Sequence, residues 1–263
     1  MLTRTWSRQF RLPSRRDEGR GITRYIGALL LSLYLLIASL SCGVPTITYI
    51  AEPIYRTPTG STLRFDHNTS NDSEDFKGYD LYYKIYNAND TSSIDSDRSY
   101  VEGADTPGTS RLVVRNFLRM VRTQTGEPSG TGQTDPPALP VGSGSRDNSF
   151  TISVDFSAAA QTVVVTNPGE STTSVSLYRQ NVLLGDQTAA TEFDRFLDPD
   201  AFQYLPGAPE TENDADLAKM LTAGYDETAT YLAAVAVIAY GVDATNFQQI
   251  YSTPIYLGTV RLE

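Results

Sequence analysis

Residues 231–240, Tyr-Leu-Ala-Ala-Val-Ala-Val-Ile-Ala-Tyr, decide the fold. A strand sends alternate side chains to opposite faces, and here both alternating sets are apolar. Such a stretch is stable only when covered on each side, so it reads as a central strand. Gly241 to Asn246 turns the chain, and residues 249–262 run back beside it. Pro254 and Gly258 in that return predict a broken or bulged last strand.

Upstream, the stretch 79–86 has the same period. Tyr79, Leu81, Tyr83 and Ile85 share one face, and Asp80, Tyr82, Lys84 and Tyr86 the other. Shorter alternating runs at 61–65, 150–156, 162–166 and 175–178 add strands, with Asn167 to Glu170 as a hairpin turn. Residues 87–99 read as a polar connection.

Three stretches break the pattern. Residues 109–122 read as a helix: Val113, Val114, Phe117, Leu118, Met120 and Val121 form an apolar face, and Thr109 or Ser110 caps its start. Arg111, Arg115, Arg119 and Arg122 recur along the opposite stripe. That stripe is the candidate interaction site, suited to phosphate headgroups or an acidic protein; its alternative use is a solvated face paired with nearby carboxylates. Residues 123–149 are rich in Gly and Pro and read as a long flexible loop. Residues 191–224 read as short helical pieces, with Asp198-Pro199 as a cap and first turn.

The last two strands resemble those of a fibronectin type III or immunoglobulin-like sandwich, where a Ser-x-Pro bulge often interrupts the final one; here the residues are Ser252-Thr253-Pro254. Gly78 to Tyr86 resembles the C strand of that fold. The resemblance implies a mainly β chain, a single β-sandwich over residues 42–263, in which the inserted helices and the Gly/Pro-rich loop are additions.

Ahead of the domain, Ile26 to Cys42 reads IGALLLSLYLLIASLSC, preceded by Arg20 and Arg24. A helix of its apolar part, residues 28–40, would span about 20 Å, short of a ~30 Å hydrocarbon core. A basic flank, a short apolar core and small residues at its end make a secretory signal over residues 1–41. Ser39-Leu40-Ser41-Cys42 resembles the relaxed, spirochaete-type lipobox of bacterial lipoproteins, although Ser39 stands where leucine is usual. The resemblance implies cleavage before Cys42 and acylation of that cysteine, with up to three acyl chains. A plain signal peptide or an uncleaved anchor with a stray cysteine is the alternative. The strand pattern starts within a few residues of Cys42, so the domain is expected to sit close to the bilayer.

Seven of the 21 basic residues but only two of the 31 acids precede Cys42, which leaves 14 basic and 29 acidic side chains after it, a net charge of −15. Such a surface repels nucleic acid. With one cysteine there is no internal disulfide or cysteine-based metal site, and with His67 the one histidine there is no multi-histidine site. His67 lies in the polar run FDHNTSNDSED and reads as an exposed loop residue, with no GxSxG nucleophile motif in the chain. Asp66, Asn68, Ser70 and Asp72 have the early spacing of a calcium loop, but Asn71 replaces its glycine and Lys77 its final glutamate. No metal or cofactor is expected.

These readings converge on a non-enzymatic, lipid-anchored lipoprotein of the cell envelope. It would be held in the cell or outer membrane through acylated Cys42, periplasmic or surface-exposed, and serve as a binding or structural module. A lipid-anchored hydrolase or transport accessory, with its site in the inserted loops, is the alternative.

Overall fold

The computed structural model describes residues 49–122, 137–156, 163–170, 174–182, 188–191, 216 and 229–262. Its centre is an antiparallel pair, β3 (Phe76–Asn87) and β10 (Tyr231–Val242), in register from Tyr231 opposite Asn87 to Tyr240 opposite Gly78, with a shift before Gly241 meets Phe76. On its far edge β10 pairs with β12 (Ile255–Leu262) and, beyond a break, with β11 (Gln249–Tyr251). The expected interruption lies between them. The register shifts at Leu257, and the buried Ser252 bridges the gap: its Oγ accepts from the Ala239 N–H at 2.9 Å, and its own N–H donates to the Ala239 carbonyl.

On the other edge β3 pairs with β4 (Leu118–Val121) and β5 (Leu139–Pro140). Gly78 makes the second contact possible, because a Cβ there would lie 2.2 Å from the Leu139 carbonyl oxygen. From β4 the ladder continues through β8 (Ser174–Val182), β7 (Val163–Thr166), β6 (Thr151–Asp155) and β2 (Thr62–Asp66) to β1 (Ile54–Thr59). A short β9 (Thr188–Thr191) adds to β8. All these pairings are antiparallel. The chain is mainly β, one curled antiparallel sheet with the form of a half-barrel. Its curl brings β1 and β2 back against β12. There Gly258, at φ +140°, lets β12 pass close to Leu63 and Pro58.

Alternation sorts the side chains of the central pair. Tyr79, Leu81, Tyr83 and Ile85 of β3 and Ala233, Val235, Val237 and Ala239 of β10 face the concave interior, with Leu63, Phe65, Ile152, Val154 and Leu177 opposite. The other face of the pair, Tyr82, Tyr86, Ala234, Ala236 and Ile238, is covered by two helices that follow β3. They are α1 (Thr91–Glu102) and α2 (Ser110–Val114). This roof explains why residues 231–240 are apolar on both sides.

The helices differ from the sequence expectation. The polar connection at 87–99 contains most of α1. Its cap is Asp90, whose carboxylate accepts from the Ser93 N–H at 3.2 Å, leaving one fewer orphan donor in the first turn. The expected helix 109–122 is only the five residues of α2. Asn116 ends it with φ 59°, Asn116 and Phe117 donate back to the carbonyls of Val113 and Leu112, and the chain then extends into β4. The expected loop 123–149 is also corrected in its second half: Ala138, Leu139 and Val141 are buried, and Leu139 and Pro140 form β5. Residues 123–136 lie outside the described residues, as do the signal segment, Cys42 and, apart from Thr191 and Asp216, the stretch 191–224.

Candidate binding groove

One face of α1 does not rest on the sheet. Asp95, Arg98 and Glu102 lie at i, i+3 and i+7, so they share a stripe of the helix. That stripe overlooks β12, and with Glu52 and Tyr55 from the first strand edge it walls a groove of about 470 Å³. The groove lies along the seam where the curled sheet fails to close: among the described strands, β12 pairs with β10 and β11 does likewise, while β1 pairs only with β2.

Tyr256 lies at the groove's base. Strand alternation places it on the helix side of β12, next to Tyr82, Tyr86 and Ala234, while Leu257 enters the interior. It is 6 % exposed, and its hydroxyl has no hydrogen-bond partner among the described residues. Burial pushes that hydroxyl's pKa up, so it is a neutral phenol able both to donate and to accept. A buried hydroxyl without a partner is costly, and in native structures the few such groups need an explanation. The Arg98 guanidinium stands 6.0 Å from the Tyr256 ring centre and pairs with Glu102 at 2.8 Å. Both partners of that pair are about half exposed, so it adds little to stability and is easily exchanged. The arrangement offers a concave surface with carboxylates on two walls and an aromatic residue at its base, whose hydroxyl is itself buried.

The four arginines lie elsewhere, each with a carboxylate partner in the fold. Arg111 donates to the Tyr100 carbonyl at 2.7 Å and reaches Asp105. Arg115 stacks over the Tyr100 ring at 4.2 Å and pairs with Asp97 at 3.2 Å. Arg119, on β4, pairs with buried Asp80, and Arg122 with Glu170. They are therefore not one helical stripe, because α2 ends at Val114, before the last three.

His67 is a second correction. It is 1 % exposed rather than a loop residue in water, stacked on Phe150 at 4.8 Å between ring centres. Its Nε2 lies 2.7 Å from the Arg146 carbonyl. That oxygen can only accept, so Nε2 carries the hydrogen. Nδ1 then accepts from the Tyr79 hydroxyl at 2.6 Å. Desolvation lowers the pKa of His67 and keeps the ring neutral. Deeper in the interior, fully buried Arg179 pairs with Asp216 at 3.1 Å, and the Tyr83 hydroxyl donates to the same carboxylate.

The calcium-like spacing at 66–72 serves the fold: Asp66 pairs with Arg56 and accepts from Thr151, and the Asn68 side chain bonds the Glu52 carbonyl and the Ser70 N–H. Among the described residues no three His, Cys, Asp or Glu side chains are placed to share a metal ion, and no helix is long and apolar enough to cross a membrane.

Comparison with protein-family models, curated proteins and solved structures finds no match.

No motif in the sequence marks the groove, because it depends on α1, which the low apolar content of 91–102 concealed. The alternation around residue 256 was legible; what covers that face was not.

Proposed function

We propose that this protein is a lipid-anchored lipoprotein of the cell envelope, held through acylated Cys42, whose β-domain is a non-catalytic binding module. The observation that carries the binding role is the seam groove itself, about 470 Å³, with Glu52, Asp95 and Glu102 among its lining residues beside Tyr256. The groove's carboxylates favour binding over catalysis. Glu102 is half exposed and paired with Arg98, and Glu52 is exposed and accepts from the Thr253 hydroxyl. Neither stands in the dry enclosure that a general acid needs. The arginines are not carried into this proposal, since their charge is neutralised within the domain.

The sandwich reading is part of the same proposal. The run β1-β2-β6 and the run β4-β3-β10-β12 have the strand neighbours of the two sheets of a fibronectin type III-like domain, with β7 and β8 bridging one to the other. The envelope address rests on the Ser39 to Cys42 lipobox and the signal before it, and Gly43 after the cysteine favours the outer membrane. A single acyl chain holds a protein only weakly, with an association constant of about 10⁴ M⁻¹, so firm anchoring takes two or more.

Metabolic labelling with a fatty acid tests the anchor. Wild type is expected to incorporate label and partition into detergent, and Cys42→Ser to remain unprocessed and unlabelled. Label retained by the variant sinks the assignment.

A further inference from the structure

Taking the lipid-anchor reading as its basis, we propose that the tip of the β10–β11 hairpin rests in the headgroup region of the bilayer that holds Cys42. Phe247 forms the point of that contact, and Tyr49 stands beside it.

The tip is built to hold Phe247 outward. The Asp243 N–H donates to the Gln248 carbonyl, and the Phe247 N–H donates back to the Asp243 carbonyl at 2.8 Å. The Asp243 carboxylate accepts from the Thr245 N–H and hydroxyl, and the Ala244 N–H donates to the Asp75 carboxylate just before β3. So fixed, Phe247 takes φ 57° and is 75 % exposed. Left-handed backbone suits glycine or asparagine, and a bulky residue there is a genuine outlier. A large ring in water is a second cost, and one so exposed recovers little of either inside the domain. Outliers that folding does not explain point to a function outside the fold.

Tyr49, 70 % exposed, lies at the same end of the sheet. Its neighbour Ile50 is buried against Gly241, where a Cβ would come within 2.2 Å of the Ile50 Cδ1, and Gly241 stands two residues before the tip. Tyr49 follows Cys42 by seven residues, a tether of at most about 25 Å at ~3.6 Å per residue. The opposite end of the sheet is the length of β3 away, about 40 Å at ~3.4 Å per residue. Of the two ends, only the one with the aromatics is bound by the tether to stay near the headgroups.

Aromatic rings favour that interfacial layer. Charge does not assist them. Asp72 and Glu74 are exposed close to Asp75, in a chain whose net charge is −15 from Cys42 onward. The contact is therefore apolar and suited to a zwitterionic surface, since anionic lipid repels these carboxylates. A second copy of the chain could also cover the rings, but the anchor already brings lipid to them.

Tryptophan fluorescence tests this. The one tryptophan of the chain, Trp6, lies ahead of Cys42, so a processed protein carries none and a substituted tryptophan reports alone. Processed Phe247→Trp, Tyr49→Trp and Asn89→Trp proteins would be reconstituted in phosphatidylcholine vesicles with brominated acyl chains, with flotation to verify attachment. Asn89 is exposed just beyond the far end of β3. The first two are expected to shift to the blue and lose most of their emission to shallow bromines, while the third keeps its emission. Added salt should leave the quenching unchanged, and anionic lipid should reduce it. Phe247→Gly suits the left-handed backbone and should leave the melting temperature in detergent unchanged or higher.

A floating protein whose Phe247→Trp emission is unquenched overturns this inference alone, and a blue shift without quenching, the mark of cover by protein, does the same. Equal quenching of Asn89→Trp, or a melting temperature lowered by Phe247→Gly, also overturns it. A protein that fails to float overturns the anchor reading and this inference with it.

Discussion

At the scale of single residues, the environment of His67 makes a pH-dependent prediction. The folded ring is neutral, held between the Arg146 carbonyl and the Tyr79 hydroxyl, and its pKa lies below the ordinary value of 6.5. Below that ordinary value the unfolded chain therefore binds a proton that the folded chain refuses. The contribution is whole above pH 6.5 and is lost as pH falls toward the folded value. For one proton the limiting slope is about 1.4 kcal/mol per pH unit. Denaturant melts between pH 7.5 and 5.5 check this. Wild type should lose stability across that interval, and His67→Gln should show a flatter profile from a lower starting stability. Equal slopes would show that other groups set the acid side. Little of this was legible. The run around His67 is polar, and what buries the ring is Phe150, far along the chain, so no local pattern revealed it.

Among the elements, α1 shows why periodicity alone misplaced the helices. It keeps only Asp97 and Val101 buried, and Asp97 holds it down as firmly as an apolar stripe would. Its carboxylate takes hydrogen bonds from Lys84 at 2.5 Å and the Tyr86 hydroxyl at 2.6 Å, both from the convex face of β3, and an ion pair from Arg115. Asp97→Ala strands those partners and should cost about 3 kcal/mol. The loss should appear as a lower denaturation midpoint together with faster amide exchange across 91–102, because the helix loses its tie to the sheet. A stability within about 0.5 kcal/mol of wild type would mean that Val101 and Ile94 alone hold the helix. In the 109–122 stretch the arginine repeat argued for continuation. The stop was also present: Asn116 takes the left-handed position that closes a helix, and Phe117 packs back on Leu112. An asparagine within an i, i+4 series is easily taken as a solvated position.

For the molecule as a whole, the reach of β10 matters most. Its two covered faces and two paired edges make it the strand on which the interior and the helical roof both depend. Removing residues 247–263 strips β11 and β12 and should abolish cooperative unfolding of the domain; a truncated protein that still melts in one sharp transition would disprove that dependence. The β class, the central strand and its interrupted partner were legible because strand alternation is local. The closing of the curl, the entry of Leu139 into the interior and the groove were not, since each joins residues far apart in sequence.

The pairing of β3 with β10 also bears on when the protein can fold. Leu81 meets Val237 only after everything from α1 to the stretch before residue 231 has been made. Contacts so distant in sequence form slowly, and β3 cannot be enclosed on both faces until its partner emerges. For a chain proposed to pass through a membrane before it matures, late closure keeps it threadable: β10, which completes the central pair, leaves the ribosome and crosses long after β3.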